Sequence, residues 1–317
     1  MKLAKQIMIL AALVGLFAAA DIYIYFICTK RLMTDDGTER RTSSIEVSDY
    51  LPFDENSNIV NIKDTLPLTG ELPVIDGAEG LYPVYSAFVN AVYPEGSVEF
   101  DGSDFTPESK LQMRNTLKAY KGVVDGNADI AVCAAPSAEQ LSYAEEMGAE
   151  LEFVPIGRDA FVFMVNSANP VDSLTANEIR EIYSGKYKNW SKLGGEKLPI
   201  NPLQRLAGSG SQSVFLKFMN GLETVPNYSG WRGSPIGFSF RYYVTGMREN
   251  DGVKILSLNG VYPDKESISK GEYPICVDFY AVYDRRNTNP NIPTLIDWFL
   301  SENGQRIIEE TGYVPIK

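Results

Sequence analysis

The apolar positions divide the chain into three regimes. Residues 7–28 form one apolar run, interrupted only by Asp21 and preceded by Lys2 and Lys5. Its length matches the roughly 20 residues that a membrane-spanning helix needs, so it predicts an uncleaved signal anchor over residues 1–28. Ala18, Ala19 and Ala20 would suit a cleavage site, but apolar residues continue past them. Cys28 follows Phe26 and Ile27, where a lipid-attachment signal wants small residues. Residues 29–70 are polar, acidic and without apolar periodicity, and predict an extracellular linker that carries no site.

From Leu72 the spacing alternates between strand-like runs and helical repeats. Residues 72–75 read as a strand and 76–80 as a turn. Leu81, Val84, Tyr85, Phe88, Val89 and Val92 then recur at helix spacing. A short strand follows at 98–100, a helix at 115–124 closed by Asp125 and Gly126, and a buried strand at 129–134. Ser137 with Gln140, and Thr175 with Glu178, are capping-box signatures that open two further helices. Strands are expected at 151–156 and 160–165, separated by Gly157, Arg158 and Asp159, and again at 198–203, 234–238, 253–258 and 273–283. A last helix over 292–310 and a terminal strand over 312–315 complete the pattern.

Strands alternating with helices predict parallel sheets covered on both faces, with ligands at the carboxyl ends of strands. Three loops lie at such ends: 77–80, 115–116 and 208–211. The third opens a helix directly. Arg205 leads into Gly208, Ser209, Gly210 and Ser211, and Val214, Phe215 and Phe218 follow at helical spacing. Such a turn presents unpaired first-turn N–H groups, two hydroxyls and the positive end of the helix dipole, which together suit an anion. Arg205 adds a planar fork that matches two oxyanion oxygens. Taken alone, the string equally fits a plain N-cap beside a surface arginine. It is neither a nucleotide P-loop, lacking the lysine after the glycines, nor a nucleophile elbow.

Composition narrows the chemistry. The 317 residues carry a net charge of -12 and no histidine. Nucleic acid is excluded as a partner for want of basic surface. Serine–histidine and cysteine–histidine catalysis is excluded outright, and the commonest zinc ligand is missing. Cys28, Cys133 and Cys276 have no metal-ligand spacing; Cys133 and Cys276 are expected as buried thiols, or as one bridge if their strands are neighbours. No catalytic residue, metal or cofactor is expected. Trp190 and Trp231 are expected to pack, Asp129 to mark a strand entry, Arg158 to sit at a hinge, and Arg241 and Arg248 to be surface charges.

Over residues 72–317 the sequence resembles the phosphate-binding receptors of ABC importers. The most specific block runs from Pro155, Ile156, Gly157, Arg158 and Asp159 through Asn166, then Asn169 and Pro170. Ile182, Tyr183, Ser184 and Gly185, then Asn189 and Trp190, continue it. Arg205 with Gly208, Ser209, Gly210 and Ser211 matches the family's Arg-x-x-Gly-Ser-Gly-Thr/Ser, and Ile236, Gly237, Phe238 and the closing Gly312, Tyr313, Val314 and Pro315 also fit.

The resemblance implies an α/β, two-lobed type II periplasmic-binding-protein fold with two crossover strands, here preceded by an N-terminal membrane anchor. Lobe one would be 72–160 plus 276–317 and lobe two 161–275. It implies ligand contacts from Arg205, Ser209, Gly210 and Ser211, with Gly80 in the first loop and Thr116 in place of a family serine. It departs from the family at three positions, one being Ala207, where the family has an acidic residue two places after its arginine. Glu79 stands where the family has threonine, and Ala134 where it has an aspartate that accepts a ligand proton. Glu79 then either takes over the acceptor role or points to solvent. The implied function is a monomeric, membrane-anchored extracytoplasmic receptor for inorganic phosphate or a similar oxyanion, serving the membrane subunits of an ABC importer, and not an enzyme. The alternative is a sensor or interaction module that has lost or changed phosphate binding.

Overall fold

One strand runs through the whole architecture. The computed structural model describes residues 45–205, 209–226, 234–247 and 252–316, and Val47–Lys317 forms one compact unit. The strands are β1 (Ile75–Gly77), β2 (Ile130–Ala134), β3 (Leu151–Asn166), β4 (Ser173–Leu174), β5 (Ile200–Pro202), β6 (Ser234–Phe240), β7 (Val253–Ile255), β8 (Ser257–Leu258), β9 (Cys276–Asp284) and β10 (Val314–Pro315). Eight of them form a sheet in the order β1-β2-β9-β3-β6-β5, with β7 and β10 also paired to β3; β4 and β8 pair separately.

Two strands were expected around Gly157, Arg158 and Asp159, but β3 passes through them unbroken. A register shift between Pro155 and Gly157 absorbs the irregularity. The first part of β3, as far as Ala160, pairs with β9; from Phe161 onward it pairs with β6 and β7. The sheet therefore has two halves, and β3 belongs to both. The chain returns beside it, where the Phe161 N–H donates to the Ile275 carbonyl at 3.0 Å just before β9 begins. The sheet is mixed rather than parallel. β1–β2 and β5–β6 are parallel, while β2–β9, β9–β3 and β3–β6 are antiparallel. Alternation along the sequence does not reveal that β9 arrives late and inserts between β2 and β3.

The helices are α1 (Tyr82–Val92), α2 (Thr116–Asp125), α3 (Ala138–Glu146), α4 (Ala176–Tyr183), α5 (Gly210–Met219), α6 (Arg241–Thr245), α7 (Lys265–Ser269), α8 (Asn291–Phe299) and α9 (Glu302–Thr311). Both expected capping boxes are present, at Ser137 and Thr175. The single terminal helix expected over 292–310 is two, because Ser301 accepts the Gly304 N–H and starts α9 afresh. The expected strand at 98–100 is reduced to one bridge between Phe100 and Phe105.

Each half of the sheet has its own core. In the second half Phe161, Phe163, Tyr183, Phe215 and Phe238 interlock, with Phe215 and Phe238 stacked at 4.4 Å. In the first half α1 is buried on every face. Phe88 stacks on Phe299 at 4.4 Å, and Trp298 meets it edge-on. That complete burial explains a second departure from expectation. Residues 47–70 do not behave as a linker but strap α1 down. Val47, Tyr50 and Ile62 are buried, and Ser86 Oγ donates to the Tyr50 carbonyl. Asn90 Oδ1 accepts the Phe53 N–H at 2.9 Å, and Trp298 Nε1 donates to Asp64 at 2.8 Å. The apolar run at 7–28 lies outside the described residues; among the described residues no helix is long and apolar enough to cross a membrane.

Candidate oxyanion site

Three chain segments meet at one end of the sheet. The first leaves β1. Asp76 is fully buried and its carboxylate accepts the N–H groups of Gly77 (2.8 Å) and Arg114 (3.0 Å) and the Arg114 Nε (2.7 Å). Burial pushes this carboxyl above its usual range, and the Arg114 guanidinium pulls it part of the way back. A side chain on Gly77 would stand 2.6 Å from both the Tyr85 ring and the Val132 carbonyl, so only glycine fits. The chain then turns through a single 3-10 turn, Glu79–Leu81, into α1. Tyr313 Oη donates to the Gly80 carbonyl and ties this turn to the C-terminal segment.

The second segment opens α2. Asn115 is the N-cap, its side chain accepting the Lys118 N–H at 3.1 Å, and Thr116 is the first helical residue. Beside it β2 ends at Ala134, whose carbonyl accepts Tyr120 Oη at 2.7 Å. The third segment opens α5. Ser209 caps it by accepting the Gln212 N–H at 3.2 Å. Gln212 in turn accepts the Arg205 N–H at 2.9 Å and donates to Gln204 at 3.1 Å. Gln212 thus clips the approach strand to the first turn of the helix, a role its sequence position does not advertise.

These segments converge from opposite halves of the sheet. The point where Gly210 would carry a side chain lies 3.2 Å from Thr116 Oγ1 and 3.7 Å from the Ala134 methyl. Two helix N-termini therefore meet beside the end of β2. Their positive dipole ends repel, and an anion between them offsets that repulsion. Thr116 is 7% exposed, yet its hydroxyl has no hydrogen-bond partner among the described residues.

The remaining expected residues are placed less tightly. Ser209, Ser211, Glu79 and Gly80 are half-buried, and Arg205 is exposed. Gly208 lies outside the described residues, as do Trp231 and Arg248. Among the described residues no acidic or cysteine cluster could hold a metal. Cys133 and Cys276 are free thiols: β2 and β9 are neighbours, but Cys133 sits opposite Tyr280 while Cys276 sits opposite Ala160.

Arg241, expected as a surface charge, is half-buried at the junction of the two halves, with 11% of its side chain exposed. Its Nε lies 3.3 Å from Asp159 and its Nη2 donates to the Gly312 carbonyl. Asp159 also accepts the Tyr242 N–H at 3.1 Å. Burial raises the Asp159 carboxyl to about 6, against the opposing pull of Arg241. Tyr242 packs on Tyr313 at 4.5 Å between ring centres, and Tyr243 reaches within 3.8 Å of the side-chain position of Gly80. Arg158 pairs with Asp278 at 2.7 Å where β3 and β9 run together. Trp190 packs as expected, with its Nε1 donating to the Ser234 carbonyl at 3.0 Å.

A PBP superfamily domain matches residues 74–303. The chain belongs to that superfamily. The phosphate-binding protein PstS of Bacillus subtilis is 30% identical over 173 residues, covering 50% of this chain and 56% of that protein. PstS of Borreliella burgdorferi is 27% identical over 178 residues, covering 50% and 64%. This PBP-superfamily chain thus spans between about half and two thirds of the length of those relatives. An X-ray structure of a substrate-binding protein from Clostridium perfringens with bound phosphate shares the two-lobed fold, with a TM-score of 0.60 at 23% identity, covering 77% of this chain and 98% of that one.

Proposed function

We propose that the protein is an extracytoplasmic receptor that binds phosphate, or a closely similar oxyanion, between its lobes and delivers it to the membrane subunits of an ABC importer. The observation that carries this reading is the meeting of Thr116 and Gly210, which sets two helix N-termini and a hydroxyl without a partner among the described residues around one point. The naming of the PstS relatives as phosphate-binding proteins supports it. Thr116, Ser209, Gly210 and Ser211 supply hydroxyl and N–H donors, Gly80 lines the first loop, and Arg205 swings in as the charged fork. Glu79 accepts a ligand hydroxyl in place of a carboxylate at position 134. Lobe one comprises 72–160 with 276–317, and lobe two 161–275. Residues 7–28 anchor the protein in the membrane, and it acts as a monomer without catalysis.

Calorimetric titration of the protein with phosphate, sulfate and a phosphate monoester tests this reading. Saturable heat with phosphate, and a melting temperature that climbs as phosphate exceeds its Kd, are the expected results. Neither heat nor a shift at millimolar phosphate would remove the receptor reading and favour a module that has given up solute binding.

A further inference from the structure

We infer that Asp76 is a positioning residue for the oxyanion site: it holds the entry of α2 so that Thr116 faces Gly210. This inference rests on the receptor reading above. The geometry starts from the way residues 110–112 run beside β1. The Ile75 N–H donates to the Lys110 carbonyl at 2.9 Å, and the Gln112 N–H donates to the Ile75 carbonyl at 2.8 Å. This short ladder stops there, and the chain has only Met113, Arg114 and Asn115 in which to turn into α2. It makes the turn at Asn115, with φ 86 and ψ 165. That region of backbone space is essentially confined to glycine, and a non-glycine residue persists in it only when its surroundings force it, at about 1–3 kcal/mol.

Two restraints flank the strained residue. On its C-terminal side the Asn115 side chain caps Lys118. On its N-terminal side both the backbone and the side chain of Arg114 are bonded to Asp76. The same carboxylate also accepts the Gly77 N–H, so one buried group fixes the first loop and the second loop to each other. Asp76 does not need to touch the ligand. A carboxylate is required because one group must accept three donors, two of them from a cation-bearing residue, inside the protein. An asparagine keeps the shape but offers one acceptor oxygen and two unwanted donors. With that staple gone, Asn115 can relax and carry Thr116 away from Gly210.

The test is phosphate titration of the parent chain, Asp76→Asn, Thr116→Val and the double variant, with melting temperatures alongside. Outer-shell groups that orient ligands typically contribute about 10- to 100-fold in affinity, and a loss in that range is expected for Asp76→Asn. In the Thr116→Val background the same change should cost under about 3-fold, since partners in one network are non-additive. A merely structural Asp76 would lower the melting temperature equally in both backgrounds and leave the affinity losses multiplying. If Asp76→Asn does not fold, Arg114→Gln carries the same comparison, with a loss of about 5-fold or more expected from removing one of the three bonds. Phosphate binding by the parent with Asp76→Asn, or Arg114→Gln, within about 2-fold of it overturns the positioning role alone. Absence of binding by the parent overturns the receptor reading, and the positioning role with it.

Discussion

Thr116 Oγ1 stands 3.2 Å from the point where a side chain on Gly210 would begin. That spacing is tighter than an ordinary contact, so Gly210→Ala pushes a methyl group into the gap between the two helix ends. Phosphate affinity should fall by about 10-fold or more, the scale of one lost charge-assisted bond. Folding stability should stay within about 1 kcal/mol of the parent, because alanine is the better helix residue. Titration calorimetry and urea denaturation check the two halves of this expectation, and an unchanged Kd would place the ligand elsewhere.

Thr116→Val keeps the shape and removes the hydroxyl. The parent hydroxyl makes no hydrogen bond within the protein among the described residues. The variant should therefore be as stable as the parent, or more so, while binding phosphate about 10-fold more weakly. A variant that loses stability and keeps its affinity would show that the hydroxyl serves the fold.

Asp159 predicts a pH dependence with a definite sign. Its carboxyl titrates near 6 in the folded chain, against about 3.9 when unfolded. The folded state then holds the proton longer, so the associated stability is fully present below about pH 4 and is lost as pH rises through 6. The scale is about 3 kcal/mol. Urea denaturation of the parent and of Asp159→Asn at pH 4.5 and 7.5 isolates this group. The parent should lose ground relative to the variant as pH rises; a flat or opposite difference rejects the raised value.

Arg241 compensates that same carboxylate. Arg241→Ala forces the buried Asp159 at pH 7.5 either to stay ionised without compensation or to take up a proton, at a cost of up to about 3–5 kcal/mol. At pH 4.5 the cost should shrink, because Asp159 is then protonated. Chemical denaturation at the two pH values measures it, and an equal loss at both would show that Arg241 acts by packing alone.

The strap over α1 offers a prediction about length. A chain shortened to begin at Glu71 exposes the surfaces now covered by Val47, Tyr50 and Ile62 and frees Trp298 from Asp64. At about 1.5–3 kcal/mol for each buried apolar side chain, a loss of at least about 3 kcal/mol is expected. Melting curves of the full and shortened chains decide it, and coincident curves would return residues 47–70 to the status of a linker.

Much of the fold could be read from spacing. The capping boxes at Ser137 and Thr175 announce their helices because the same residues that supply the bonds also define the pattern. The turn at Ser209 and Gly210 carries its chemistry locally, so it could be proposed from its own string. The other side of the site was less legible. Thr116 was expected as a ligand contact only through the family resemblance, and Asp76 only as a turn residue, because the contacts that give them meaning join positions 38 residues apart and more in sequence. Arg241 was misplaced for the same reason: its partners Asp159 and Gly312 are 82 and 71 residues away. The strap at 47–70 was missed because its anchoring residues are single apolar side chains and polar bonds with no period.

The placement of β9 bears on how the chain is made. Cys133 on β2 finds its neighbour Tyr280 only 147 residues later. As the polypeptide emerges from the ribosome, β2 and the first part of β3 wait with open edges until nearly the whole molecule has been synthesised. Contacts of such range close slowly, and a stalled or truncated product presents unpaired strands that favour aggregation. A chain that cannot finish its sheet early stays pliant during synthesis, and the export that the proposed extracytoplasmic role requires would meet it still unfolded.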